Sequence, residues 1–343
     1  MRKRNIFAIL DKNYVHKLFD EKKLVYFPDA KDKKIEEIEI QKISPEWAKE
    51  TCQAKYKIIF TEGDFKIIRG TTSKNGLKRN AWKILKHLFR SGFNRGQSRV
   101  TRPLDFIDET GLLLYEEAKG APLTTIIQTG KARKIKEFLK NSAKWLSKLH
   151  RTAPPESGSF PDAIFLKVDD YNRTFTDIKK ILPDLKNELI PVTELKFIDQ
   201  ISKGKEILIH NDFYPGNIII DDAIICGIDF ERSGLGFQLI DVATLLGWFE
   251  FPTEAKVLNF SEKNIQNFQT LFLKTFCDLS RMDYTKTQQE LNKFLAKIFL
   301  DQIHNYTTLA IKARDCIGPT VKNDNRKKIS ALLQKAKHYI SLI

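Results

Sequence analysis

The sequence predicts an α+β protein in two parts, a smaller β-rich part ending near Glu117 and a larger, mainly α-helical part after it. Three observations carry this reading. Before Glu117, β-branched and aromatic runs from Tyr56 to Phe60 and from Phe65 to Gly70 flank a Glu62-Gly63-Asp64 turn, the pattern of a hairpin. After it, apolar residues recur mostly at helical spacing, as in Ile135, Phe138, Leu139, Leu146 and Leu149. A chain of 343 residues is also long enough to bury one core in each part.

The elements follow in order. Leu24-Val25-Tyr26-Phe27 and Ile38 to Ile43 read as apolar strands ahead of the hairpin. The turn between the first two sheet strands falls on Ile43 to Thr51 and contains no glycine. Ala81, Ile84, Leu85, Leu88 and Phe89 predict a helix. From Phe65 to Leu104 there is no Asp or Glu, although Lys66, Arg69, Lys78 and eight further basic residues lie there; a solvated helix face is the default for such side chains. Pro154-Pro155, Gly158 and Pro161 mark a loop opening a mixed segment that runs to Gly204 and is placed to shape an acceptor pocket. Ile207-Leu208-Ile209 and Ile218-Ile219-Ile220 are short strands separated by a Pro215-Gly216 turn, and Ala223 to Ile228 is a third. Beyond Pro252, patterns through Leu291 to Ala310 and Ile329 to Ile343 predict core-facing helices.

Composition narrows the class. The formal charge of +15 favours acidic partners or an anionic acceptor through long-range steering. Clustered cations also suit a nucleic-acid backbone, but no zinc-finger spacing or RNA-binding signature accompanies them, so nucleic acid is not the expected partner. Cys52, Cys226, Cys277 and Cys316 are widely separated, which fits reduced side chains without a metal role. The basic Met1-Arg2-Lys3-Arg4 start is followed by an apolar run too short for a secretory core, and no run is long enough to span a bilayer. The expectation is a cytoplasmic protein without membrane attachment.

The chemistry concentrates in His210-Asn211-Asp212-Phe213-Tyr214-Pro215-Gly216-Asn217 and Ile228-Asp229-Phe230-Glu231. Strand ends on a rigid scaffold present these polar residues; taken one at a time, Asp, Asn, Pro and Gly are also ordinary turn residues. An Asp near an acceptor hydroxyl can orient it and take its proton, the role given to Asp212. Mg²⁺ prefers oxygen ligands and keeps several waters, so Asn217 and Asp229 with nucleotide phosphates make a plausible shell. The spacing His-x-Asp-x-x-x-x-Asn, with a second Asp twelve residues after the Asn, resembles the catalytic loop and metal-binding Asp of kinases.

With these motifs the chain resembles the aminoglycoside phosphotransferase and choline kinase group of small-molecule kinases, which share the bilobal protein-kinase-like fold. The resemblance extends to Leu112 to Leu123, similar to the family's strand and interlobe hinge, to Leu146 to His150, and to Gly234 to Asp241. It implies a nucleotide-binding lobe over residues 1–117 and a catalytic and substrate-binding lobe over 118–343. It further implies that the backbone of Glu116, Glu117 and Ala118 holds adenine, that Asp212 is the base, and that Asn217 and Asp229 ligate Mg²⁺. His210 would brace the loop. Asp241 would tie that loop to the following helix, although an Asp before Val242-Ala243-Thr244-Leu245-Leu246 also suits a helix N-cap. His150 reads as structural.

The sequence departs from the family's pattern in three places. The phosphate-clamping turn lacks glycine, Arg69 stands where a phosphate-contacting lysine is expected, and the helix through Ala81 and Leu85 offers no glutamate to pair with it. Strand alternation puts Lys66 and Arg69 on opposite faces, and Arg69 is taken as the nucleotide contact. The resulting expectation is an ATP- and Mg²⁺-dependent phosphotransferase acting on a hydroxyl of a small molecule such as a sugar, an amino alcohol or a related metabolite. The alternative is a catalytically weak pseudokinase that binds nucleotide or a partner as a regulator.

Overall fold

A computed structural model describes residues 5–45, 50–154, 165–201, 207–251, 260–314 and 319–343, with the side chains of 312–323 left aside. Several predicted features lie outside the described residues: the basic start, the middle of the glycine-free turn at Glu46 to Lys49, Pro155, Gly158 and Pro161 with Gly204, Pro252, and Cys316. In chain order the elements are α1 (Lys12–Tyr26), β1 (Ile35–Lys42), β2 (Thr51–Phe60), β3 (Phe65–Ser73), α2 (Leu77–Leu88), β4 (Ser98–Val100), β5 (Pro103–Ile107) and β6 (Leu112–Glu116). There follow β7 (Ala121–Pro122), α3 (Leu123–Thr129), α4 (Ala132–Arg151), α5 (Val168–Ile181), α6 (Phe197–Ile201), β8 (Ile207–Ile209), β9 (Ile218–Asp221) and β10 (Ile224–Gly227). The last are β11 (Gly234–Gly236), α7 (Gln238–Trp248), α8 (Glu262–Ser280), α9 (Tyr284–Arg314) and α10 (Pro319–Ile340).

The fold is the α+β, protein-kinase-like one, and the chain divides into two compact units. The first contains Met1–Gly120 together with Ile219–Ser233; the second contains Ala121–Pro154, Asp162–Ile218 and Gly234–Ile343. The segment carrying Asp229 therefore packs with the N-terminal unit rather than with the residues immediately before it.

In the first unit the sheet order is β1-β2-β3-β6-β5, with every neighbouring pair antiparallel. Alternation along β2 buries Cys52, Ala54, Tyr56, Ile58 and Phe60 against Phe19, Tyr26 and Phe27, so one face of the sheet is dry. Tyr56 donates its hydroxyl to the Ile9 carbonyl at 2.8 Å, satisfying the polar end of a ring that is otherwise fully enclosed. Leu24 to Tyr26, expected as strand, is instead the last turn of α1, and Phe27 is its C-cap. The helix is set from its start, where the Asp11 side chain accepts from the Tyr14 amide at 2.8 Å, and Val15, Leu18, Phe19 and Tyr26 then bury at helical spacing. The same phase leaves Leu24 and Val25 exposed. Elsewhere in this unit β10 runs parallel to β4, pairing Ile225 with Ser98 and Gly227 with Val100.

The second unit is mainly helical. Its short ladder joins β8 and β11 antiparallel, with Gly234 opposite Ile209 and Gly236 opposite Ile207. α4 packs against α8, and α9 packs against α7 and α10. Trp145, Leu146 and Leu149 of α4 and Val242, Ala243 and Leu245 of α7 are fully buried, forming the wall on which the loop after β8 rests. Among the described residues no helix is long and apolar enough to cross a membrane.

Candidate active site

In the second unit the chain leaves β8 at His210, whose side chain is fully buried beside Trp145 and Phe213. Asn211 follows in the left-handed region, φ 58°, which Asn tolerates better than most residues and which turns the chain sharply before Asp212. Phe213 then drops into the core and stacks on Trp145 with ring centroids 5.4 Å apart. Two successive backbone bonds tighten the loop, Tyr214 N to Asp212 O and Asn217 N to Tyr214 O, both 2.9 Å. At their end Asn217 folds back and donates its side-chain amide to the Asp212 carbonyl and to Asp212 Oδ2, each at 3.0 Å. Asp212 and Asn217 are thus brought together.

The loop is held from behind by Asp241. This carboxylate has no exposed surface, yet it accepts the backbone amide of His210 at 2.9 Å and of Asn211 at 2.7 Å, and it contacts His150 Nε2 at 2.8 Å. These hydrogen bonds give a carboxylate that water does not reach the partners that burial requires. Asp241 is not the N-cap of α7, since Phe237 occupies that position and no side chain caps it. His150, expected as a structural helix end, supplies one of the three partners.

In the first unit Asp229 sits just after β10 with φ 64°, a left-handed backbone seldom adopted by a residue with a Cβ. Helix α2 grips the residues that follow it. Lys78, only 3% exposed, is ion-paired with Glu231, and Asn80 donates its side-chain amide to the Ser233 carbonyl at 2.9 Å. Burial pushes the Lys78 ammonium down to about 8 from its usual range, against the opposing pull of the Asp229 carboxylate. The expectation that the basic neighbours of Arg69 form a solvated face fails at this residue. Lys78 lies in phase with Ala81, Leu85 and Leu88 on the stripe that α2 buries, and a lysine in register with an apolar stripe was the available signal.

Arg69 and Lys66 point in opposite directions. Lys66 reaches Asp29 on the side of α1, at 2.5 Å, and both side chains are substantially exposed. Arg69 is ion-paired with Glu117, and Lys55 joins the same carboxylate at 3.1 Å. The acid that positions Arg69 is therefore in the predicted hinge rather than on the helix. Of the hinge amides, Glu116 N donates to Arg102 O at 3.0 Å and Glu117 N to Ile67 O at 3.1 Å, which leaves Ala118 as the residue of the three whose amide takes no part in these bonds. Tyr115 stands opposite Arg69 in the ladder. Desolvation pushes its phenol up to about 12, and the Asp229 carboxylate adds to the shift, so Arg69, Tyr115 and Asp229 share one electrostatic neighbourhood.

Among the described residues no group of three or more His, Cys, Asp or Glu side chains is placed to hold a metal ion. Asn217 in the second unit and Asp229 in the first each offer a hard oxygen donor, the kind that Mg²⁺ prefers beside phosphate oxygens and water. The chemistry of each donor fits that ion.

The class is set by the family that the sequence of this fold and loop matches. Residues 74–262 match the phosphotransferase enzyme family, APH; that is more than half of the chain, which therefore belongs to this family. No curated protein matches the sequence. Among solved structures, an ethanolamine kinase of Plasmodium vivax superposes with a TM-score of 0.58 at 15% identity, over 94% of this chain and 89% of that one. The ternary complex of the aminoglycoside phosphotransferase APH(2'')-IIa with streptomycin and ATP gives 0.57 at 14% identity, over 96% of this chain and 98% of that one. A thermostable variant of aminoglycoside phosphotransferase APH(4)-Ia, solved with ADP and hygromycin B, gives 0.57 at 13% identity, over 93% and 98%.

Proposed function

We propose that the protein transfers the γ-phosphate of ATP to a hydroxyl of a small molecule, a sugar, an amino alcohol or a related metabolite. The observation that carries this reading is the Asp212–Asn217 contact within a loop anchored on buried Asp241. Asp212 orients the acceptor hydroxyl and takes its proton as the new bond to phosphorus forms. Asn217, fixed through its amide nitrogen, and Asp229 would hold the metal through their side-chain oxygens. The metal, when bound, neutralises charge on the transferring phosphate. Arg69, held by Glu117, contacts the nucleotide phosphates, and the stretch Glu116 to Ala118 receives adenine.

The test is a screen of purified protein with labelled ATP and Mg²⁺ against sugars, amino alcohols and their derivatives, wild type beside Asp212→Asn. The variant should bind ATP normally and turn over the accepted substrate about 10² to 10⁴ times more slowly. Equal turnover would remove Asp212 from the reaction. The Arg69–Glu117 pair favours a second reading, a nucleotide- or partner-binding regulator, because a phosphate must compete with Glu117 for Arg69. Saturable ATP binding with no transfer to any acceptor would favour it.

A further inference from the structure

A buried lysine cannot be left without a partner, because water does not reach it to replace the lost hydration. The Lys78 side chain is 4% exposed and is in direct contact with Glu231, two residues after Asp229 on the same segment, so a second carboxylate lies close along the chain. One ammonium neutralises one carboxylate. Closed on Glu231, it leaves Asp229 with its full charge; closed on Asp229, it would hold the same oxygens that a cation needs. The polarity reverses the expected arrangement, since here the helix supplies the cation and the segment after Asp229 supplies the acid. Asn80, two residues on in α2, donates to the Ser233 carbonyl of that segment at 2.9 Å, a second bond between the helix and the stretch that carries Glu231.

We propose that Glu231 is a positioning residue that sequesters the buried Lys78 ammonium and so keeps the Asp229 carboxylate available to the metal. The inference rests on the reading of Asp229 as a metal ligand. It predicts that Glu231 acts only through Lys78. With Glu231 neutralised, the trapped ammonium turns to Asp229 and competes with the divalent ion; with both removed, the competitor is gone and the site recovers.

The experiment titrates Mn²⁺ into the protein with a non-hydrolysable ATP analogue, followed by electron paramagnetic resonance of the free ion, with circular dichroism on each variant as the check of folding. Glu231→Gln should weaken the nucleotide-dependent Mn²⁺ affinity about tenfold, and the double variant Lys78→Met with Glu231→Gln should return to within about threefold of wild type. Lys78→Met alone should bind Mn²⁺ at least as tightly as wild type, because it removes a cation from beside the site. A merely structural pair gives the opposite order, with the double variant as weak as either single one, and that order overturns the proposal. If Glu231→Gln fails to fold, Lys78→Met decides, since a loss of Mn²⁺ affinity there contradicts sequestration. Asp229→Ala separates the two levels. Unchanged Mn²⁺ binding in that variant removes the metal role of Asp229, whereas its loss alongside an unaffected Glu231→Gln removes only the role of Glu231.

Discussion

Replacing Asp241 by Asn tests how the loop is held, because it keeps the size of the side chain and removes its charge and one acceptor. The carboxylate now serves two backbone amides and an imidazole nitrogen at 2.7 to 2.9 Å. An amide in its place offers one carbonyl oxygen to these partners, and its NH₂ group faces a backbone N–H that also donates. Breaking a buried, hydrogen-bonded charged site of this kind costs about 3 to 5 kcal/mol. With a urea slope of about 2 to 3 kcal/mol/M the unfolding midpoint should fall by about 1 to 2.5 M. Trp145, stacked on Phe213 next to His210, supplies the fluorescence signal for the part of the chain affected. His150→Ala removes only the third partner and should shift the midpoint by a smaller amount. An Asp241→Asn protein that unfolds at the wild-type urea concentration would refute the view that this carboxylate supports the loop.

Other outcomes follow from the same geometry. Arg69→Ala should weaken ATP binding more than Lys66→Ala, since Lys66 is engaged with Asp29 on the far face of the sheet; calorimetry at moderate salt makes the comparison, and greater sensitivity at Lys66 would reverse the strand register assigned to the site. Burial raises the thiols of Cys52 and Cys277 and pushes that of Cys226 up to about 12. Native protein at about pH 8.5 should therefore resist iodoacetamide at these three positions and react at all of them in urea, as mass spectrometry would show; rapid native labelling of Cys226 would contradict its burial. Gly120→Ala should destabilise the fold by at least about 2 kcal/mol, because φ there is +106° and an added Cβ would collide with the Ile220 carbonyl; an unchanged melting temperature would count against that close approach.

Much of this was legible in the chain. The Glu62-Gly63-Asp64 turn, the strands at Ile207, Ile218 and Ile224, and the helices of the C-terminal part follow from local period and turn chemistry, which act over a few residues. The pairing of Asp212 with Asn217 was also within reach, because five residues and a Pro-Gly turn nearly impose it. Leu24 to Phe27 was misread because a short apolar run has no period of its own; its helical phase is set upstream by the cap at Asp11. Asp241 as the tie of the loop was reached through the family resemblance, whereas Glu117 as the partner of Arg69 and Glu231 as the partner of Lys78 are long-range choices. Each depends on which strand or helix lies next to which, and composition along the chain does not encode that directly.

The parallel pairing of β10 with β4 has a consequence for how the chain comes into being. The first compact unit is not a contiguous stretch, since it needs the hairpin and turn of residues 219–233, which follow it by about a hundred positions. As the polypeptide leaves the ribosome, its N-terminal sheet emerges well before β10 and Glu231 exist, leaving the β4 edge without its neighbour and Lys78 without its counter-ion. The unit can be completed only after the Asp212 loop has been synthesised, so a truncated product ending before residue 229 lacks a finished N-terminal unit as well as the Asp229 carboxylate. Completion of the first unit is thereby linked to translation through both halves of the motif.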